Sequence, residues 1–210
     1  MAKELDVVFE PSDIPDFIPT EEGTYPAHVV SLSTKEVNTR AGEAIIVNMS
    51  YQIADEAADD TQLLYEMDGY KYRTDVSGSR IPISDETGMQ KEIKCAHLPG
   101  KKYYDNGFFI FTDSSSASKN SRYFKLLEGL GIKLEEVDGK KKLVLLEEED
   151  VVGIPVKITL ETHSYVTKDT RDLPLDQQDK RTSLKAKEIV LWEGGEKLSE
   201  DELNDDDVPF

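Results

Sequence analysis

Residues 43–53 alternate. Ile45, Val47, Met49, Tyr51 and Ile53 fall on one face and Asn48, Ser50 and Gln52 on the other, with Ile46 the exception. A period of two predicts a half-buried strand, and it places Tyr51 with the core residues. Gly23–Ser33 reads as an earlier strand, with Pro26 near its start, where a missing N–H is tolerated. Thr39-Arg40-Ala41-Gly42 is a turn between the two. Leu63, Tyr65 and Met67 predict a third strand, which Tyr70-Lys71-Tyr72-Arg73 continues to residue 73. Residues 75–105, rich in Gly, Ser, Pro and Lys, read as a long excursion with short strands, and Phe108–Phe111 as a strand apolar on both faces.

The period then changes. Tyr123, Phe124, Leu126, Leu127 and Leu130 recur at helical spacing, after N-cap candidates at Asp113–Ser116 and before Gly131. This predicts a helix over 115–130. Val137–Lys140 is a turn. Strands follow at 143–146, 152–165 and 184–192, the last two separated by a polar loop at 168–183. Trp192 closes the last strand, in a structural role. The fold class is mainly β with one helix (α+β), in one domain at 23–192, between an acidic, proline-punctuated arm at 1–22 and a tail at 193–210.

Composition sharpens this division. Hydrophobic residues make up 38% of the chain and charged residues 32%, so not every segment can belong to a core. The net charge is −18, of which 193–210 carries −7 (eight acids, one lysine) and 1–22 carries −6 (seven acids, one lysine). The remaining −5 on 23–192 is clumped at Asp55–Asp60 and Glu147–Asp150, which leaves room for a locally basic groove. Lys140–Lys142 balances the second clump. A single cysteine, Cys95, rules out an internal disulfide and fits the reducing cytoplasm. With that one cysteine and three dispersed histidines, neither a metal nor a cofactor is expected. No apolar run reaches the ~20 residues that span a bilayer, and the N-terminus lacks the basic and apolar regions of a signal peptide.

The chain ends Asp205-Asp206-Asp207-Val208-Pro209-Phe210. Three aspartates and a carboxylate suit a pocket lined by Arg or Lys, and Phe210 suits a small apolar hole. Pro209 reduces the entropy lost on docking. This tip resembles the acidic C-terminal tip of bacterial and phage single-stranded DNA-binding proteins. Gly23-Thr24-Tyr25, Tyr123-Phe124-Lys125-Leu126-Leu127 and Leu130-Gly131-Ile132 are similar to segments of a phage-encoded group in that family. The resemblance implies an OB-fold, a five-stranded Greek-key barrel, with extra strands or a hairpin and a disordered tail. The predicted order is that of the OB-fold: strands 23–33, 43–53 and 61–73, the helix, then strands 152–165 and 184–192. It also implies a non-enzymatic protein of the bacterial cytoplasm that coats single-stranded DNA without sequence preference in replication, recombination and repair. Its tail would recruit replication or recombination enzymes. The oligomeric state is left open, a homo-oligomer included.

Such binding needs cations for phosphates and aromatic faces for bases. Tyr70, Lys71, Tyr72 and Arg73 interleave the two, as do Lys101, Lys102, Tyr103 and Tyr104, and Arg40 sits in a turn of the kind that touches ligand. Each has a plainer reading as strand packing, solvated charge or turn. Tyr165 and Lys168 remain open. The alternative function is an acidic DNA mimic that binds a basic partner enzyme, which an isoelectric point of about 4.5 favours. A Mg²⁺ nuclease would need Asp85, Glu92 and Lys94, a pattern common among 43 acids, and the chain has no P-loop, nucleophile elbow or HExxH.

Overall fold

The computed structural model describes residues 20–66, 72–74, 80–82, 89–113 and 118–203. Half of them belong to antiparallel strands, with few helices. Two long strands, β1 (Gly23–Thr39) and β2 (Gly42–Ile53), form a hairpin that starts at Thr39↔Gly42. β1 also pairs along its first half with β11 (Pro155–Val166), which pairs in turn with β12 (Lys180–Leu191). The free side of β2 takes two short strands, β7 (Lys102–Tyr104) and β8 (Phe108–Phe111). The order is thus β12-β11-β1-β2-β7, and a parallel bridge from Asp105 to Ala186 of β12 joins its two ends. The sheet closes on itself.

The interior follows from the alternation. Val47, Met49, Tyr51 and Ile53 of β2 are all at most 2% exposed, beside Val29, Ile158, Leu160 and Ala186 from neighbouring strands. Each fully buried aliphatic or aromatic side chain contributes about 1.5–3 kcal/mol through removal from water. The helix α1 (Ser121–Gly129) adds Tyr123, Leu126 and Leu127 to this core. It begins where Asn120 exchanges two hydrogen bonds with the backbone of Phe111. It ends in a Schellman turn, in which Gly131 N–H donates to Glu128 and Ile132 N–H to Leu127, with Gly131 at φ 71°. A Cβ on Gly129 would run into the carbonyl of Ile189, so glycine lets α1 cross β12 at backbone contact. The Tyr123 hydroxyl donates to Val144 O and accepts from Leu146 N, which fastens the following segment.

Three differences from the sequence reading have physical causes. The strand expected at 61–73 as β2's neighbour instead splits. β3 (Thr61–Glu66) pairs with β6 (Met89–Lys94), and β4 (Tyr72–Thr74) with β5 (Arg80–Pro82), in two separate small sheets. β2 is covered by β7 and β8 because Phe108 and Ile110 both point inward. The excursion is pinned at its neck by Gly100 N–H to Ile53 O and Ile53 N–H to Lys101 O, and the entropic cost of such loops grows slowly with length.

Secondly, polar stretches expected as loop are strand: β1 runs on to Thr39, and β12 begins at Lys180. Both hairpins overhang the core, where neither face needs to be apolar. Thirdly, the fold continues past Trp192. Leu198 N–H donates to Gly153 O, His28 Nε2 bonds Glu196 O at 3.0 Å, and Leu203 of the short helix α3 (Glu200–Leu203) is buried. Gly153, at φ 80°, has no room for a Cβ against Leu198 O. Thr20–Glu22 dock likewise. Thr20 is buried, and Glu22 accepts from Thr162 N–H at 2.6 Å. Two further short strands, β9 (Glu136–Val137) and β10 (Lys140–Lys141), the helix α2 (Glu148–Val151) and 3-10 turns at Asp55–Asp59, Lys168–Thr170 and Leu175–Gln177 complete the elements among the described residues.

Candidate nucleic-acid interface

Residues that face each other across a ladder share a face. The outer side of β1, β2, β7 and β8 can therefore be read in rows. Val37, Ala44 and Phe111 form one; Lys35, Ile46 and Phe109 the next. Ser33 and Asn48 follow, then Ser31, Ser50 and Tyr104, then His28, Gln52 and Lys102. The hydroxyls of Ser31 and Ser50 bond each other. Gly107, at φ 76°, lies over Ile46 and Asn48, where a Cβ would come within 2.8 Å of Ile46.

Three aromatic rings stand on this face. Tyr104 is 55% exposed, and Lys185 of β12 places its ammonium 5.5 Å from the ring centre. Phe109, 36% exposed, lies nearly parallel to Phe111 at 6.2 Å between centres. The Lys119 ammonium sits 5.2 Å from the centre of Phe111 and donates to Ala41 O, which ties the β1–β2 turn to this edge. Tyr104 and Phe109 oppose β2 residues four apart, Ser50 and Ile46. That sets the two rings about 13 Å apart along the sheet. Exposed rings flanked by Lys35, Lys102, Lys119 and Lys185 offer base stacking and phosphate neutralisation on one surface. Acids border it on two sides: Glu161 opposes Lys185 across β11 and β12, and Asp55, Glu56, Glu196 and Glu202 line a groove of about 490 Å³ that begins at His28 and Gln52.

The run 101–104 divides by strand alternation. Lys102 and Tyr104 point to the outer face. Tyr103 is half-buried against the core, and its hydroxyl donates to Thr20 Oγ1 at 2.6 Å. Lys101 reaches the same oxygen at 3.5 Å, and its burial lowers its pKa. Those two side chains hold the N-terminal segment. Arg40 lies exposed at the tip of the β1–β2 hairpin. Tyr72 and Arg73 fall in β4, away from the closed sheet's ladders. Tyr70, Lys71 and the tip residues Asp205, Asp206, Asp207, Val208, Pro209 and Phe210 lie outside the described residues.

Lys35, Phe109, Phe111, Lys119 and Lys185 are not among the DNA contacts that the sequence nominates. For Phe109 and Phe111 a signal existed. A short strand apolar on both faces, at the edge of a sheet with only one buried side, has aromatic rings to spare.

Beneath the face, Asp105 fixes the crossing from β7 to β8. Its buried carboxylate accepts from Met49 N–H at 3.1 Å, Tyr51 O–H at 3.2 Å and Gly107 N–H at 2.7 Å. Burial raises its pKa, against the pull of these three donors. Burial, and then the neighbouring Asp105, push the Tyr51 hydroxyl well above its ordinary value. Both side chains are structural.

Among the described residues no helix is long and apolar enough to cross a membrane, and no three His, Cys, Asp or Glu side chains are grouped to hold a metal ion. No protein-family model, curated protein or solved structure matches the chain.

Proposed function

We propose that the chain is a non-enzymatic single-stranded DNA-binding protein built on an OB-fold, with the outer face of β1, β2, β7 and β8 as its DNA surface. The observation that carries this is the set of exposed rings at Tyr104 and Phe109, flanked by Lys35, Lys102, Lys119 and Lys185 on a chain of net charge −18. Rings left in water beside lysines cost solubility unless they have a ligand. The OB-fold reading is supported by the strand order and by the parallel bridge at Asp105–Ala186. The five strands would be β1, β2, the β7–β8 segment, β11 and β12, with α1 between the third and fourth. In such barrels strands 2 and 3, and the loops at 1–2 and 4–5, hold oligonucleotides. Here those loops are the Arg40 turn and residues 167–179. The bound strand would be coated and protected during replication, recombination or repair. The tip Asp205–Phe210 would recruit partner enzymes through its carboxylates and Phe210.

The test is fluorescence anisotropy with a labelled oligo(dT) at low and moderate salt. Full-length protein and a form truncated after Leu203 are compared, since Leu203 belongs to the fold. Saturable binding by both, weakening with salt, is expected. Absence of binding by both would discard this reading in favour of an acidic mimic of DNA.

A further inference from the structure

We propose that the acidic N-terminal segment, residues 1–19, lies across the outer face of β2, β7 and β8 of its own chain when no nucleic acid is bound, and that a single strand must displace it. The displacement rests on the preceding reading of that face; the contact itself does not. The face has surface that an occupant would cover. Tyr104 is 55% exposed and Phe109 36%, and Lys35, Lys102, Lys119 and Lys185 stand around them. Ring surface left in water beside cations, on a chain of net charge −18, attracts a segment that carries acids and apolar side chains together.

Residues 1–19 are such a segment. They hold five acids against one lysine, and Glu10, Asp13 and Asp16 are interspersed with Phe9, Ile14, Phe17 and Ile18. A carboxylate can stand before a lysine where a phosphate would, and a phenylalanine can pack on an exposed ring where a base would. The segment therefore offers the face the same two kinds of contact as a single strand. Pro11, Pro15 and Pro19 each fix φ, so less entropy is lost when the segment is laid down.

Its root decides for this segment. Thr20 is buried, and its Oγ1 accepts from Tyr103 O–H at 2.6 Å and from Lys101 Nζ at 3.5 Å. The chain thus enters the fold against β7, the strand that turns Lys102 and Tyr104 to the outer face. The stretch from Phe9 to Thr20 reaches at most about 40 Å, ample for the ~13 Å between Tyr104 and Phe109. The C-terminal tip is the other acidic candidate, and its root opposes it. Leu203 lies in the groove lined by Asp55, Glu56, Glu196 and Glu202, whose like charge repels Asp205–Asp207.

The test uses the full chain in two measurements. The first is free of DNA: the amide NMR shifts of wild type are compared with those of Phe9→Ala/Phe17→Ala, and changes concentrated in Lys102–Phe111 are expected. The second is anisotropy with labelled oligo(dT). Phe9→Ala/Phe17→Ala leaves the charge unchanged and should bind about three- to tenfold more tightly. Glu10→Gln/Asp13→Asn/Asp16→Asn should gain about tenfold at low salt and less at moderate salt. Glu136→Gln/Glu148→Gln/Glu149→Gln removes the same charge from outside the segment and should gain at most about twofold. Unchanged shifts at Lys102–Phe111 would overturn the proposal, as would gains in the segment variants no larger than in this control. So would a gain seen only on truncation after Leu203, which would give the face to residues 204–210. Wild type that self-associates in sedimentation velocity, beside a monomeric Phe9→Ala/Phe17→Ala, would place the segment on a second copy and overturn the contact within one chain. Shifts that change as expected while no form binds oligo(dT) would uphold the contact and remove the DNA reading alone.

Discussion

Tyr51 and Tyr104 are neighbours across the same sheet and have opposite fates. Tyr51 points inward, is fully buried, and donates its hydroxyl to Asp105. Tyr104 points outward, is 55% exposed, and has the Lys185 ammonium against its ring. The two β2 faces differ in the same way. One is sealed by Val29, Ile158 and Phe108; the other carries Ile46, Asn48 and Ser50 between lysines and phenylalanines. The lesson is that aromatic content does not mark a nucleic-acid surface. A ring is available when its area is uncovered and only a cation attends it. Substitutions on the two sides should therefore separate stability from binding.

The largest effect is expected inside. Tyr51→Ala removes a fully buried ring, at a cost of about 3–5 kcal/mol, and leaves Asp105 one donor short. Urea denaturation should show a large fraction of a typical domain's ~5–15 kcal/mol gone. A loss below about 1 kcal/mol would mean that the closed sheet does not depend on this face.

Asp105→Asn keeps the shape but replaces an acceptor-only carboxylate that takes three donors, and should cost about 1–3 kcal/mol. Its pH dependence has a definite sign. The folded-state pKa of Asp105 is raised by burial, so the folded state holds that proton more tightly than the unfolded chain. The favourable contribution is full below the unfolded carboxylate range and is lost as pH rises through the folded value. Asparagine has no such dependence. The stability gap between wild type and Asp105→Asn should narrow as pH rises from the carboxylate range toward neutrality. A gap that widens would mean that the three donors outweigh burial.

On the outside the pattern reverses. Tyr104→Ala and Phe109→Ala should each weaken oligo(dT) binding by about 1–3 kcal/mol, roughly 5- to 150-fold in Kd. The unfolding midpoint of Tyr104→Ala should move by less than the equivalent of about 1 kcal/mol, because more than half of that ring is in water, and Phe109→Ala, at a ring 36% exposed, should cost more but well below Tyr51→Ala. Unchanged affinity in both variants would remove this face as the interface, whatever the chain binds.

How far these two sides were legible in the sequence follows from what each residue signals. The inner face was readable because period two in 45–53 has one meaning when the partner positions are polar. The helix was readable from Tyr123, Leu126, Leu127 and Leu130 with the Gly131 stop. The identity of β2's neighbour was not. Leu63, Tyr65 and Phe108, Ile110 are equally good strand patterns, and only the hydrogen bonds at Gly100 and Lys101 decide which returns to β2. Lys119 and Lys185 were invisible for a related reason. Nothing in their local sequence distinguishes a lysine over an exposed ring from one in open water. The side reached by Lys101 and Tyr103 depended on Thr20, eighty-odd residues away.

The smallest predicted effect tests those two lysines. Lys119→Gln and Lys185→Gln leave the aromatic rings in place and remove one cation each. If each ammonium neutralises one phosphate of a single strand, the slope of log K against log salt should fall by about 0.7 per substitution. Affinity at moderate salt should drop only a few-fold, and stability hardly at all, since a cation over an exposed ring contributes about 0.5–1 kcal/mol. The ratio of effects carries the information. A fall in slope without loss of the stacking contribution assigns the lysines to phosphates and the rings to bases. An unchanged slope with weakened binding would instead make Lys185 a support for the orientation of Tyr104. The binding face would then be governed by its rings, with the phosphate contacts left to Lys35, Lys102 and the Arg40 turn.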